Sequence, residues 1–146
     1  MNKKSFLMLF IFCLFTVFTF GGCGGDSTDE SDFIQPGRYY AVDGENYDNP
    51  DWEVSYYDSY IRVFHFEKVN FYDYELSFSG VIFWLDTYGN SYARSIPQRN
   101  ILMTRIDDGL YETKSSSAPY VLLEIFNEEI FDLYTEEFMV SLEFNY

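Results

Sequence analysis

An all-β fold is what this sequence predicts: a single antiparallel β-sandwich or a small up-and-down barrel of about eight to nine strands. Three observations carry that expectation. Tyr, Phe, Val and Ile dominate from Phe33 onward, the residues that suit a pleated, half-buried surface. Apolar and polar residues alternate with a period of two, most regularly where Phe138, Val140, Leu142, Phe144 and Tyr146 oppose Met139, Ser141, Glu143 and Asn145. Turn residues separate the alternating runs, and no long stretch has the 3.6-residue period of an amphipathic helix.

Taken in order, the first strand is expected at Arg38–Val42 and the next at Tyr60–Val69. In the third, Tyr72, Tyr74, Leu76 and Phe78 oppose Asp73, Glu75 and Ser77. Val81–Leu85 is a continuous apolar run, which suits a strand covered on both faces. Further strands are expected at Ser91–Ile96, Ile101–Ile106, Leu110–Thr113, Tyr120–Phe126 and Ile130–Tyr134, before the C-terminal one. Tyr88-Gly89-Asn90 and Asp107-Asp108-Gly109 supply turn residues that tolerate positive φ, and the Asp-Gly pair is a hairpin signal. Ser115-Ser116-Ser117-Ala118-Pro119 reads as a polar loop. Ser55–Tyr60 and Asn127–Glu137 are the two places where a helical turn is expected. Strands this aromatic would aggregate if left unpaired, and closure of the sheet removes the edges.

The first 32 residues are of another kind. Lys3 and Lys4 precede an almost unbroken apolar run from Phe6 to Phe20, which ends in Gly21-Gly22-Cys23. A positive start, an apolar segment and a small-residue ending make a secretory signal. The run is shorter than the ~20 residues that span a bilayer comfortably. Gly21-Gly22-Cys23 resembles the lipobox of bacterial lipoproteins, with Phe20 in the place of the usual Leu. The resemblance implies cleavage before Cys23, acylation of that cysteine, and a cell-envelope protein held to the membrane by its lipid. Several acyl chains on one cysteine anchor a protein stably. Gly24, with no Asp after the cysteine, favours the outer membrane if the source is Gram-negative. Three parts are therefore expected: a signal peptide at 1–22, a lipidated cysteine with a flexible acidic tether at 23–32, and one β domain at 33–146. The tether, GGDSTDESD after Cys23, has no apolar residue with which to build a core. At the head of the β domain, Gly37-Arg38-Tyr39 faintly resembles the Gly-x-Trp opening of lipocalin-like barrels, with Tyr39 in place of Trp.

Charge narrows the partners. Lys3 and Lys4 are two of nine basic residues, so cleavage leaves seven against 24 acidic ones, a net charge of −17. Such a field repels phosphate backbones, which argues against nucleic acid. Cysteine use narrows the chemistry. Cys13 lies in the apolar segment and Cys23 is the lipid site, so the β domain has neither a disulfide nor a thiolate zinc site.

Candidate functional residues concentrate between Asp43 and Tyr60. Asp43, Glu45, Asp48 and Asp51 have the oxygen-ligand density of a calcium loop, without the EF-hand order. Trp52, Tyr56, Tyr57 and Tyr60 form an aromatic cluster beside those acids, a candidate surface for a glycan, a protein or a small ligand. His65 is the sole histidine and alternates with Ile61 and Val63, opposite Phe64 and Phe66. With no GxSxG and no activated thiol, no catalytic constellation is evident. Carboxylate pairs (Asp73 with Glu75, Asp107 with Asp108, Glu128 with Glu129, Glu136 with Glu137) are numerous enough in so acidic a chain to arise by chance. A non-catalytic binding module is the expectation, with an envelope assembly factor or a carrier of an apolar ligand as the alternatives.

Overall fold

A computed structural model describes residues 33–145. The expected signal segment, Cys23 and the acidic stretch to Asp32 lie outside the described residues. Nine strands are present: β1 (Gly37–Asn46), β2 (Glu53–Val54), β3 (Tyr60–Lys68), β4 (Asp73–Leu85), β5 (Ser91–Asp107), β6 (Leu110–Thr113), β7 (Val121–Asn127), β8 (Ile130–Thr135) and β9 (Phe138–Phe144). All belong to one antiparallel sheet, ordered β2-β4-β3-β1-β9-β8-β7-β6-β5, and β4 pairs with β5 as well. That last pairing closes the sheet into a barrel-like ring. From β3 to β9 neighbours along the chain are neighbours in the ring, β2 flanks β4, and β1 pairs with β3 on one side and β9 on the other.

Alternation decides what fills the ring. Tyr39, Ala41, Ile61, Val63, Leu76, Phe78, Met103, Tyr111, Leu123, Phe131, Leu133, Val140 and Leu142 are buried in one core. Aromatic edges and faces interlock there. Phe66, Tyr74 and Tyr111 lie 4.8–5.1 Å apart between ring centroids, and Tyr39 meets Phe131 edge-on at 4.7 Å. Burial pushes the Tyr39 hydroxyl far above its usual pKa, although its proton bonds the Gln35 carbonyl. The interior is packed with side chains.

Several elements differ from the sequence expectation for physical reasons. Tyr72–Phe78 and Val81–Leu85 are one strand, β4, and Ser91–Ile96 and Ile101–Ile106 are one strand, β5. Their shared break is an irregularity: Phe78 pairs with Arg99 and Gly80 with Ile96, which leaves Ser79 opposite Pro97 and Gln98. Proline lacks the ladder N–H and is accommodated at such a bulge. Gly80 allows close backbone approach, because a Cβ there would fall on the Tyr60 carbonyl oxygen. The Val81–Leu85 run is not covered equally on both faces: Ile82 and Trp84 are buried, and Val81, Phe83 and Leu85 are half-buried. Asn127–Glu137 contains no helical turn; it is the β7–β8 turn, β8 and the β8–β9 turn. Ser55–Tyr60 holds a hydrogen-bonded turn that is not helical: the Ser59 N–H donates to the Ser55 carbonyl at 3.2 Å, but Tyr57 inside it has a left-handed φ of 66°. His65 is not on the face of Ile61 and Val63. A bulge between Val63 and His65 flips the phase of β3, so that Phe66 is buried and His65 turns outward to Glu75 at 2.8 Å.

The ring has two ends. The proximal end holds the start of β1, the end of β9, and the β3–β4, β5–β6 and β7–β8 turns. The distal end holds the β1–β2 connection, the β4–β5 turn at Asp86–Asn90 and the β8–β9 turn at Glu136–Glu137. Gly89 (φ 83°) and Gly109 (φ 68°) adopt the left-handed geometry in the two turns where the sequence offers it.

Candidate functional site

The distal end carries a recess, and local sequence explains its walls. β1 runs on to Asn46, whose Oδ1 accepts the Asp48 and Asn49 N–H groups at 3.1 and 2.9 Å. Such an Asx turn stops the strand. Asn49-Pro50-Asp51-Trp52 then forms a tight turn, closed by the Trp52 N–H donating to the Asn49 carbonyl at 3.0 Å. Proline presets φ for the second position of that turn. The Tyr47 N–H donates to the Glu137 carbonyl at 3.0 Å, which ties this loop to the β8–β9 turn. Burial, then Glu45, pushes the Tyr47 hydroxyl up to about 12.

Trp52 therefore lands over the end of the core and stacks on Tyr92 of β5, with centroids 4.5 Å apart and planes within 15°. Trp84 and Phe138, both buried and 6.1 Å apart, form the floor. Asn46, Asp48, Asn49, Arg94 and Glu137 supply a polar rim around about 180 Å³ of space. Arg94 grips Glu137 with a two-pronged bond, Nε to Oε2 at 2.7 Å and Nη2 to Oε1 at 2.8 Å. That fork joins β5 to the β8–β9 turn. Both side chains are half exposed, so the pair contributes at most about 1 kcal/mol to stability. Its significance is positional, since it fixes two charged groups beside a ring face.

The sequence-predicted residues part company here. Trp52 is at the recess. Tyr60 instead packs toward Tyr40 at 6.5 Å under the Arg38 guanidinium, 4.3 Å from the Tyr60 ring. Tyr56 and Tyr57 stand on the Ser55–Ser59 turn, Tyr57 with φ 66° and 73% exposed. The ring contacts therefore join Trp52 to Tyr92 and Tyr60 to Tyr40. Asp43 and Glu45 are on β1, opposite Ser141 and Met139 of β9, while Asp48 and Asp51 are in the following loop. Asp43 bonds the Gly44 N–H. Among the described residues no three His, Cys, Asp or Glu side chains converge as a metal cluster would.

Asp73, Glu75, Asp108 and Glu137, one or both members of three of the carboxylate pairs, each have a partner of their own. Asp73 receives Lys114 Nζ at 2.6 Å and Asn70 Nδ2 at 2.8 Å, and these partners hold it below the usual carboxylate range. Glu75 faces His65, and Asp108 faces Arg105. Tyr92, Arg94 and Glu137 were missed by sequence reasoning. They lie some 40 residues or more from Trp52 and meet it only because β5 runs beside β4 and the last hairpin closes the ring. The available signal was the alternation that puts Tyr92 and Arg94 on one face of β5.

Fold and site together define an antiparallel, barrel-like β protein with a filled interior and an aromatic recess at one end. Comparison with known proteins finds no matching family model, no similar curated protein and no similar solved structure.

Proposed function

We propose that this chain is a lipid-anchored, non-catalytic binding module of the bacterial cell envelope, acylated at Cys23, and that its ligand is a glycan held at the Trp52–Tyr92 recess. The observation that carries the reading is the stacked Trp52–Tyr92 pair beside the planar polar groups of Asn46, Asn49, Arg94 and Glu137. An aromatic face takes the C–H face of a sugar ring, and amides, carboxylates and a guanidinium take its hydroxyls. The acidic surface favours an uncharged or cationic sugar over an anionic one. The buried side chains that line the ring interior lend less support to a carrier of an apolar ligand.

Titration of the detergent-solubilised protein with chitotriose, a neutral N-acetylglucosamine oligomer, tests this through tryptophan fluorescence. Trp52 and Trp84 both border the recess. A saturable change is expected for the wild type and its loss for Tyr92→Ala, with the β circular-dichroism spectrum retained. A flat titration into the millimolar range, or equal binding by the Tyr92→Ala variant, overturns the glycan assignment.

A further inference from the structure

The proximal end carries a feature that the recess does not use. Phe33–Pro36 leads into β1 there, and the single Tyr39 hydroxyl proton is shared between the carbonyls of Gln35 (2.8 Å) and Glu128 (2.9 Å). The incoming chain thus lies beside the β7–β8 turn. The β3–β4 tip is tied to β5 by the Arg105 N–H, which donates to the Tyr72 carbonyl at 2.8 Å. Turns ordinarily use Gly, Asn, Asp or Ser, yet the β3–β4 turn exposes Phe71 and Tyr72, and the strand ends beside it expose Ile106 of β5 and Phe126 of β7. Phe71 is 74% exposed, Tyr72 62%, Phe126 55% and Ile106 42%. Phe71 and Tyr72 meet edge to face at 4.7 Å, with Lys68 Nζ 5.4 Å from the Phe71 ring. Phe71, Tyr72 and Ile106 border one open cleft with Lys68 and Arg105.

The position of the preceding chain says what covers them. Cys23 lies ten residues before Phe33, and ten residues span at most about 36 Å. A lipid on Cys23 therefore keeps the proximal end near the bilayer, with the recess at the opposite end. Resting on the acylation of Cys23 proposed above, we infer that the β3–β4 and β5–β6 tips dip into the interfacial layer of a zwitterionic lipid bilayer. Phe71, Tyr72 and Ile106 enter the boundary between headgroups and acyl chains, and Lys68 and Arg105 lie at the level of the phosphates. Aromatic rings and the long stems of basic residues favour that layer. Asp107, Asp108, Glu128 and Glu129 share this end, and they set the protein against an anionic surface and in favour of a zwitterionic one. The lipid is then one of two attachments, and the second fixes the direction in which the recess faces.

The test uses the full, acylated protein reconstituted into phosphatidylcholine vesicles, with a spin label on an Ile106→Cys, Phe71→Cys or Tyr88→Cys variant. Acylation consumes the Cys23 thiol, and Cys13 leaves with the signal, so each variant has a single reactive site. Tyr88 belongs to the distal β4–β5 turn and is 89% exposed. Labels on the Ile106→Cys and Phe71→Cys variants should be relaxed by oxygen and shielded from a water-soluble nickel chelate, and the label on the Tyr88→Cys variant should show the reverse. The two proximal variants sit on different hairpins, so misfolding of one leaves the other to decide. Protein that floats with the vesicles while all three labels respond as in water overturns this inference and leaves the anchor standing. Protein that fails to float overturns both.

Discussion

Ser59→Ala should destabilise the domain well beyond what a serine-to-alanine change on a β protein normally does. Ser59 is fully buried and sits where β2 and β3 would be one strand along the flank of β4, had the Ser55–Ser59 turn not lifted the chain away. Its Oγ accepts the Phe83 N–H at 2.8 Å and donates to the Phe83 carbonyl at 3.3 Å. Its carbonyl accepts the Ala41 N–H at 2.9 Å, so the same residue reaches β1 as well. The side chain stands in for a missing rung of the ladder. With alanine the Phe83 carbonyl keeps the Ser55 N–H at 2.8 Å, but the Phe83 N–H loses its acceptor. An unsatisfied donor inside a sheet costs about 1–3 kcal/mol. Taking about 2 kcal/mol, and about 4 °C per kcal/mol for a domain of this size, the melting temperature should fall by about 8 °C. Thermal and urea unfolding followed by circular dichroism measure it, with an unchanged urea m-value showing that the folded state is intact. Ser55→Ala, which removes an exposed bond to Asp58 on the same turn, should stay within about 0.5 kcal/mol of wild type. A fall of less than about 2 °C for Ser59→Ala would mean that water or a backbone shift satisfies Phe83, and the stand-in rung would be an incorrect account.

Gly80→Ala should cost about 2–3 kcal/mol, because its Cβ meets the Tyr60 carbonyl and lies 2.8 Å from Ile61 Cδ1. Gly89→Ala, with φ 83° and open space around it, should cost about 1 kcal/mol, and equal urea midpoints for the two would refute the close approach. The carboxylate of Asp73 is held below its usual range by Lys114 and Asn70. Its contribution is therefore present above the ordinary carboxylate pKa of about 4 and is lost as pH falls through the lower folded-state value. Lys114→Met should flatten that acid limb of the melting curve. Asp132, pushed up by burial, works in the opposite sense in both proteins and drops out of the comparison. Radiolabelled fatty acid should enter the wild-type chain in a bacterial host and not Cys23→Ser, whose precursor should accumulate; equal labelling would refute acylation at that cysteine.

The fold was legible because its rule is local. Period-two alternation in β9, β6 and β8 places the inward residues without any knowledge of the partners. It failed where the chain departs from two residues per pleat. The bulge between Val63 and His65 reverses inside and outside within β3, and the paired irregularity at Ser79 and Pro97–Gln98 makes two long strands look like four short ones. Strand β2, two residues long, left no periodic trace. The site was legible only in part. Trp52 stands in a polar stretch that invites attention, but its stacking partner Tyr92 is brought to it by the pairing of β2 with β4 and β4 with β5. Nearness in sequence put Tyr56, Tyr57 and Tyr60 beside Trp52, whereas the ring contacts pair Trp52 with Tyr92 and Tyr60 with Tyr40.

The pairing of β1 with β9 has a consequence for the order of events during synthesis. Tyr39 to Asn46 find their second set of backbone partners in Phe138 to Phe144, about a hundred residues later in the chain. Loop closure over that separation is slow, and folding dominated by such contacts takes milliseconds to seconds. While Phe138–Phe144 is still being made, one flank of β1 is open, and Tyr39 and Ala41 lack the neighbours that β9 brings to the core. Until then β1 presents unpaired backbone and part of its apolar face, which exposes the chain to aggregation. Mutual repulsion among 24 carboxylates works against that aggregation until the ring can shut.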